Sequence, residues 1–256
     1  MSSHSILARA DGETLAYCRV EGSGPGVVFL TGFRSDMTGG KALHLEAHCR
    51  ARGQSFLRFD FFAHGQSSGR FEDATIGRWA DDAVAILDEL TLKPQILVGS
   101  SMGGWVALLA ALRRPERVAG FIGIAPAPDF TEDMFLPQLD PAFREELEQN
   151  SVIYQPSAYS EQPYPITLKL IEEARSHLLL RAPIAIDCPI RLLQGMNDPD
   201  VPWQTSLRIA EQVSSGDVRI ALIKDGDHRL SREQDLALLS ETLDELTRSA
   251  TATGAC

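Results

Sequence analysis

Cysteine is scarce in this chain, and basic charge is outnumbered. Four cysteines (Cys18, Cys49, Cys188, Cys256) are scattered over 256 residues without a Cys-x-x-Cys pair. That argues against a disulfide framework or structural zinc site and fits a reducing compartment. Lys and Arg number 24 against 35 Asp and Glu, a net charge of −11, which argues against nucleic acid or an anionic membrane surface as partner. No apolar run approaches the roughly 20 residues needed to cross a bilayer, so no transmembrane segment is expected. The N-terminus also lacks an apolar signal core. A strand-like stretch at Thr14–Val20 follows residues 4–10 almost at once and leaves little room for an organelle leader. The expected localisation is therefore cytoplasmic. Repeats, low-complexity segments and a linker between two halves are missing too, which leaves one large domain with a frayed tail at 249–256 that includes Cys256.

Strand-like and helix-like segments alternate instead. Strands are predicted at Thr14–Val20, 27–30, 55–59, 95–98, Val118–Ile124, 190–193 and Val218–Ile223, with Gly22-Ser23-Gly24-Pro25 as a turn. Helices are predicted at 41–51, Ile76–Leu90, 105–112, 203–213 and 231–247. This rhythm implies an α/β protein, a mostly parallel central sheet with helices on both faces. The exception is 128–181. It holds prolines at 128, 137, 141, 156, 163 and 165, the aromatics Phe130, Phe135, Tyr154, Tyr159 and Tyr164, and helix-like pieces at 141–149 and 166–179. Residues 1–127 and 182–256 are expected to form the core, and 128–181 a small inserted cap over the carboxyl ends of the strands.

The sequence Gly99-Ser100-Ser101-Met102-Gly103-Gly104 lies between a predicted strand and a predicted helix. In that context Gly-x-Ser-x-Gly reads as a nucleophile elbow, a turn so sharp that glycine is needed where strand and helix approach. Ser101 sits at its tip; Ser100, one position early, is expected to bond locally. A serine needs a histidine base, a carboxylate and an oxyanion site. Among six histidines, His228 in Asp225-Gly226-Asp227-His228 follows the last strand and can reach the elbow from a loop. His44 and His48, four apart on one helix, lack a supporting third ligand and read as solvated. His177 ends a cap helix, His4 lies in the N-terminal tail, and His64 sits in a turn near the pocket. No metal or cofactor is called for.

The acid belongs after strand 190–193. Gly195-Met196-Asn197-Asp198-Pro199-Asp200-Val201-Pro202 offers Asp198, early in the loop, and Asp200 at the helix approach; Asp198 is favoured. For the oxyanion site, the backbone N–H of Met102 is one expected donor, and that of Phe33, in Thr31-Gly32-Phe33-Arg34, the other. Arg34 reads equally well as a substrate-carboxylate ligand or a surface residue.

The order Ser101, Asp198, His228 resembles the α/β-hydrolase superfamily. Gly24-Pro25-Gly26-Val27-Val28-Phe29-Leu30, Val98-Gly99-Ser100-Ser101-Met102-Gly103-Gly104-Trp105, Cys188-Pro189-Ile190-Arg191-Leu192-Leu193, Gly195-Met196-Asn197-Asp198 and Asp227-His228-Arg229 narrow the likeness further. They are similar to the abhydrolase-domain acyl-glucuronide esterases, also described as palmitoyl-protein thioesterases, of animal mitochondria and their bacterial relatives. The resemblance implies a serine hydrolase of acyl esters and thioesters, with Ser101 as nucleophile, His228 as base and Asp198 as orienting acid. The implied substrate is a small acyl ester or thioester, or an S-acylated protein. Two departures stand out: Thr31-Gly32 replaces the superfamily's usual His-Gly, and Ala63-His64-Gly65-Gln66-Ser67 replaces its common Gly-x-Gly-x-Ser turn. Against the hydrolase stand a non-hydrolytic binding protein, and a lyase or acyltransferase, on the same fold.

Overall fold

The computed structural model describes residues 4–157 and 160–252; Tyr159 and Cys256 lie outside them. The chain runs β1 (Ser5–Ala8), β2 (Thr14–Val20), β3 (Ser23–Leu30), α1 (Gly40–Ala51), β4 (Gln54–Phe59), α2 (Ile76–Leu90), β5 (Gln95–Ser100), α3 (Met102–Arg113) and β6 (Val118–Ile124). A π-helical turn at Thr131–Phe135 then leads into α4 (Leu136–Gln138), α5 (Pro141–Asn150), β7 (Val152–Ser157), β8 (Ser160–Thr167) and α6 (Leu168–Ala174). The alternation resumes with β9 (Ile190–Gly195), α7 (Gln204–Gln212), β10 (Val218–Ile223) and α8 (Glu233–Ala252).

Eight strands form one sheet in the order β1-β2-β4-β3-β5-β6-β9-β10. β2 pairs antiparallel with both neighbours, and every pairing from β4 to β10 is parallel. The central strands β5, β6 and β9 are buried along their whole length, as expected of parallel strands covered on both faces. Side chains alternate between two cores. Val27, Phe29, Ile96, Val98 and Ile122 pack against Leu45 of α1 and Leu239 and Leu243 of α8. Val28, Leu30, Leu97 and Phe121 pack on the other side with Trp79 of α2, Trp105 of α3 and Ile209 of α7.

Four local readings need correction. The turn expected at 22–25 lies largely within β3, which starts at Ser23 with a register irregularity before Val27. The helix expected at 166–179 starts only at Leu168, because Thr167 closes β8 and caps α6 by accepting the Leu170 N–H at 3.0 Å. The hairpin β7–β8 was hidden by its prolines, which lack a ladder donor. A two-stranded ribbon has only edge strands, and so tolerates them: Pro165 pairs opposite Tyr154. At the C-terminus, α8 extends to Ala252. The first half of the expected tail is therefore helical, and the rest lies outside the described residues.

The segment between β6 and β9 carries a small core of its own. Leu139, Leu147, Ile153, Ile166 and Ile171 pack together, with Phe33 from the main sheet's loop against them. Asp129, fully buried, ties the start of this segment to its end. Its carboxylate accepts the Leu179 N–H at 2.7 Å and the Leu180 N–H at 2.9 Å, with Arg181 donating at 3.1 Å. An alanine there strands two buried amides. Asp129→Ala is expected to cost about 2–4 kcal/mol, read as a lowered urea midpoint with the m-value unchanged.

Candidate active site

The elbow is built by close backbone approach. β5 ends at Ser100 and α3 starts at Met102, leaving Ser101 between them at φ 54°, ψ −121°. This strained conformation for a non-glycine residue is held by three backbone bonds. The Ser101 N–H donates to the Ile124 carbonyl at 2.9 Å, and its carbonyl accepts from Gly104 at 2.9 Å and Ala127 at 3.0 Å. A Cβ on Gly99 would lie 2.4 Å from the Gly103 carbonyl oxygen, and one on Gly103 would lie 2.3 Å from that of Leu30. Only glycine fits either place.

The loops after β9 and β10 are fastened together in the same way. A Cβ on Gly195 would lie 2.4 Å from the Gly226 carbonyl oxygen, and that oxygen accepts the Asn197 N–H at 2.9 Å. These loops bring Asp198 and His228 to Ser101. His228 Nε2 lies 3.1 Å from Ser101 Oγ, and its Nδ1 lies 2.8 Å from Asp198 Oδ2. The Asp198 side chain is fully buried, and four donors face it. Oδ2 accepts from His228 and from Gln194 Nε2 at 3.1 Å; Oδ1 accepts the N–H groups of Asp200 at 2.8 Å and Val201 at 2.9 Å. With Nδ1–H committed to the carboxylate, Nε2 is left as the acceptor that can take the Ser101 proton.

Asp200 thus meets Asp198 through its backbone. Oxygens of Asp198 and Asp200 and a ring nitrogen of His228 lie within 4.8 Å of one another. The lone pairs of Asp198 are already engaged by N–H donors, so the trio reads as an acid–base array rather than a cation cage. Ser100 stays in the sheet, paired with Ile124.

Beside Ser101, the Gly32 backbone approaches so closely that a Cβ there would sit 3.4 Å from Ser101 Cβ. Among the described residues, neither the Phe33 N–H nor the Met102 N–H has an acceptor. Met102 opens α3, where the first N–H groups have no intrahelical partner. A cavity of about 500 Å³ opens over Ser101 and His228. Phe33, Met102, Phe130, Met134, Phe135 and Ile166 supply apolar lining, and Arg34, Lys41 and Arg229 line it too. Burial pulls the Lys41 ammonium down to about 8. The Arg34 guanidinium lies 4.8 Å from the centre of the Phe71 ring and 5.8 Å from that of Tyr164.

The other histidines are placed elsewhere. His44 bonds Ser240 and His48 bonds Asp244, each at 2.7 Å; instead of pointing into solvent they dock α1 on α8, a contact between residues 196 apart in sequence. His177 bonds Glu173 at 2.6 Å. His64 is buried, and its Nε2 accepts the Arg34 N–H at 3.2 Å while Nδ1 meets the Phe62 carbonyl at 3.1 Å. It thereby braces the loop that carries Phe33, where Thr31 has a buried hydroxyl with no partner among the described residues. Two functional neighbours escaped the sequence reading. One is His64 as a brace. The other is Gln194, whose only sequence mark is an amide inside the apolar strand Ile190–Gly195.

A parallel sheet with Ser101, Asp198 and His228 delivered from its strand ends defines a hydrolase of the α/β class, and residues 27–161 match the family model described as alpha/beta hydrolase fold. The chain belongs to the ABHD10 family of these enzymes. It is 44% identical over 246 residues to "Palmitoyl-protein thioesterase ABHD10, mitochondrial" of Bos taurus, covering 96% of this chain and 80% of that protein. It superposes on the solved structure of mouse alpha/beta hydrolase domain-containing protein 10 with a TM-score of 0.90 at 42% identity, covering 97% of this chain and 99% of that one. The solved structure of a protein from Agrobacterium vitis S4 gives the same TM-score at 38% identity, covering 96% of this chain and 98% of that one.

The mammalian ABHD10 relatives overturn the expected cytoplasmic localisation. The bovine, orangutan and human proteins are each named mitochondrial. Scattered cysteines speak against disulfides; they do not separate one reducing compartment from another. Among the described residues no helix is long and apolar enough to cross a membrane.

Burial draws the His64 imidazole down to about 4, from 6.5. The unfolded chain therefore binds the proton more tightly, and the stability from neutral His64 is complete above pH 6.5 and lost as pH falls toward 4. At full extent that is on the order of 3 kcal/mol. His64→Gln is expected to flatten the fall in Tm between pH 6.5 and 4.5; an unchanged slope would assign the acid sensitivity to other groups.

Proposed function

We propose that the chain hydrolyses carboxylic esters and thioesters through an acyl-enzyme on Ser101. The observation that carries this reading is His228, within hydrogen-bond reach of Ser101 on one nitrogen and of Asp198 on the other. His228 acts as general base while Ser101 attacks the carbonyl, then returns the proton to the leaving group; water releases the acid by the same route. Asp198 fixes the tautomer and stabilises the imidazolium. The uncommitted N–H groups of Phe33 and Met102 receive the oxyanion, each worth about 10²–10³ in rate.

Residues 128–181 serve as the cap. Phe130, Met134, Phe135 and Ile166 from this segment wall the cavity, which supports a fatty or aromatic acyl group. The name of the bovine relative, a palmitoyl-protein thioesterase, supports a long-chain acyl thioester, free or on an S-acylated protein. A thiol, with an ordinary pKa of about 8.5, leaves with less help from the acid than an alcohol does.

A fluorophosphonate probe is expected to label the wild-type protein and not Ser101→Ala. Ser101→Ala should also lose on the order of 10⁴-fold or more in kcat on p-nitrophenyl esters of increasing chain length and on acyl thioesters. Labelling or turnover that survives Ser101→Ala defeats the proposal.

A further inference from the structure

Strand β9 is apolar at Ile190, Leu192 and Leu193, yet at its end stands Gln194, wholly buried. A buried amide with unmet bonds is costly, and here each end of the amide is matched. Nε2 faces three acceptors: Asp198 Oδ2 at 3.1 Å, the Val201 carbonyl at 3.2 Å and the Gly195 carbonyl at 3.3 Å. Oε1 accepts from Ser206 Oγ of α7 at 3.2 Å. Reversing the amide would set its oxygen against three other oxygens, so the network fixes its orientation. Nε2 and His228 Nδ1 donate to the same carboxylate oxygen.

We propose that Gln194 is a positioning residue for the acid–base pair: it holds Asp198 Oδ2 in line with His228 and, by donating to that oxygen, weakens the carboxylate's pull on the imidazolium. The proposal rests on the serine-hydrolase reading above. A carboxylate oxygen relieved of one donor is more basic and stabilises the protonated imidazole more strongly. Removing the amide should therefore strengthen the carboxylate's hold on the imidazolium as well as loosen Asp198. The other charged groups of the cluster are Asp200, Arg229 next in the chain and Lys41, which donates to the Arg229 carbonyl; the substitution changes none of them. A shift would then report the lost amide.

The test is the pH dependence of kcat/KM for p-nitrophenyl butyrate with the wild type, Gln194→Met and Ser206→Ala. Methionine keeps the volume and removes the donor; alanine at 206 frees the amide without touching the acid. Gln194→Met is expected to move the acid limb up by about half a unit to one unit and to lower plateau kcat about tenfold, with KM within about twofold of wild type. Ser206→Ala should shift the limb in the same direction by less. If Gln194→Met does not fold, the direction of the Ser206→Ala shift decides alone. An acid limb that stays in place or moves down, whatever happens to Tm, makes Gln194 a packing residue and overturns the proposal. Turnover that survives Ser101→Ala would remove the serine reading itself; dependence on Ser101 with an unmoved limb removes only the role of Gln194.

Discussion

One relay of two hydrogen bonds, from Asp198 through His228 to Ser101, organises everything else in this molecule. Its three side chains come from loops far apart in the chain, and none can be displaced much without breaking the contact. The architecture answers that demand with parallel strands. β5, β6, β9 and β10 lie side by side in one direction, so the loops at their ends open onto one rim. A parallel sheet is costly to build, because each connection must cross a face. In return it gathers distant residues at one edge.

Glycine supplies the remaining accuracy. Gly99 and Gly103 let strand, helix and the Leu30 carbonyl meet around the elbow, and Gly195 lets the loops after β9 and β10 touch. These are contacts of backbone with backbone, insensitive to rotamer choice, which suits positions that must not drift. The strained Ser101 conformation is stored against them, with its N–H and carbonyl both tied down. The Ser101 side chain is then left to meet His228.

Much of this was legible in the sequence, for identifiable reasons. Fully buried strands such as Val118–Ile124 announce themselves as apolar runs, and the elbow motif between a strand and a helix ties a local pattern to a known geometry. The order of serine, aspartate and histidine, with the short loops around each, was enough to name the three side chains that the structure draws together. What stayed hidden depends on partners remote in the chain. His44 and His48 look solvated until α8 arrives. Gln194 looks like a stray polar residue until Asp198 and Ser206 surround it. His64 reads as a turn residue until the loop after β3 leans on it. The hairpin β7–β8 failed for another reason: proline counts against strands in general, and the chain uses it where every strand is an edge. The cellular compartment was misjudged because neither scattered cysteines nor a short lead-in to a strand-like stretch separates one reducing interior from another.

The carboxylate of Asp129 reaches across some fifty positions of chain to grip the amides of Leu179 and Leu180. A single side chain thus closes a loop of sequence at its neck, where it leaves and rejoins the sheet. Stretches bounded in this manner can lengthen, shorten or exchange their residues while the neck holds, because the strands on either side do not register the change. Phe130, Met134, Phe135 and Ile166, which wall the cavity, therefore sit on a stretch of polypeptide separable from the strands whose ends carry Ser101, Asp198 and His228, and the two portions can diverge at different rates.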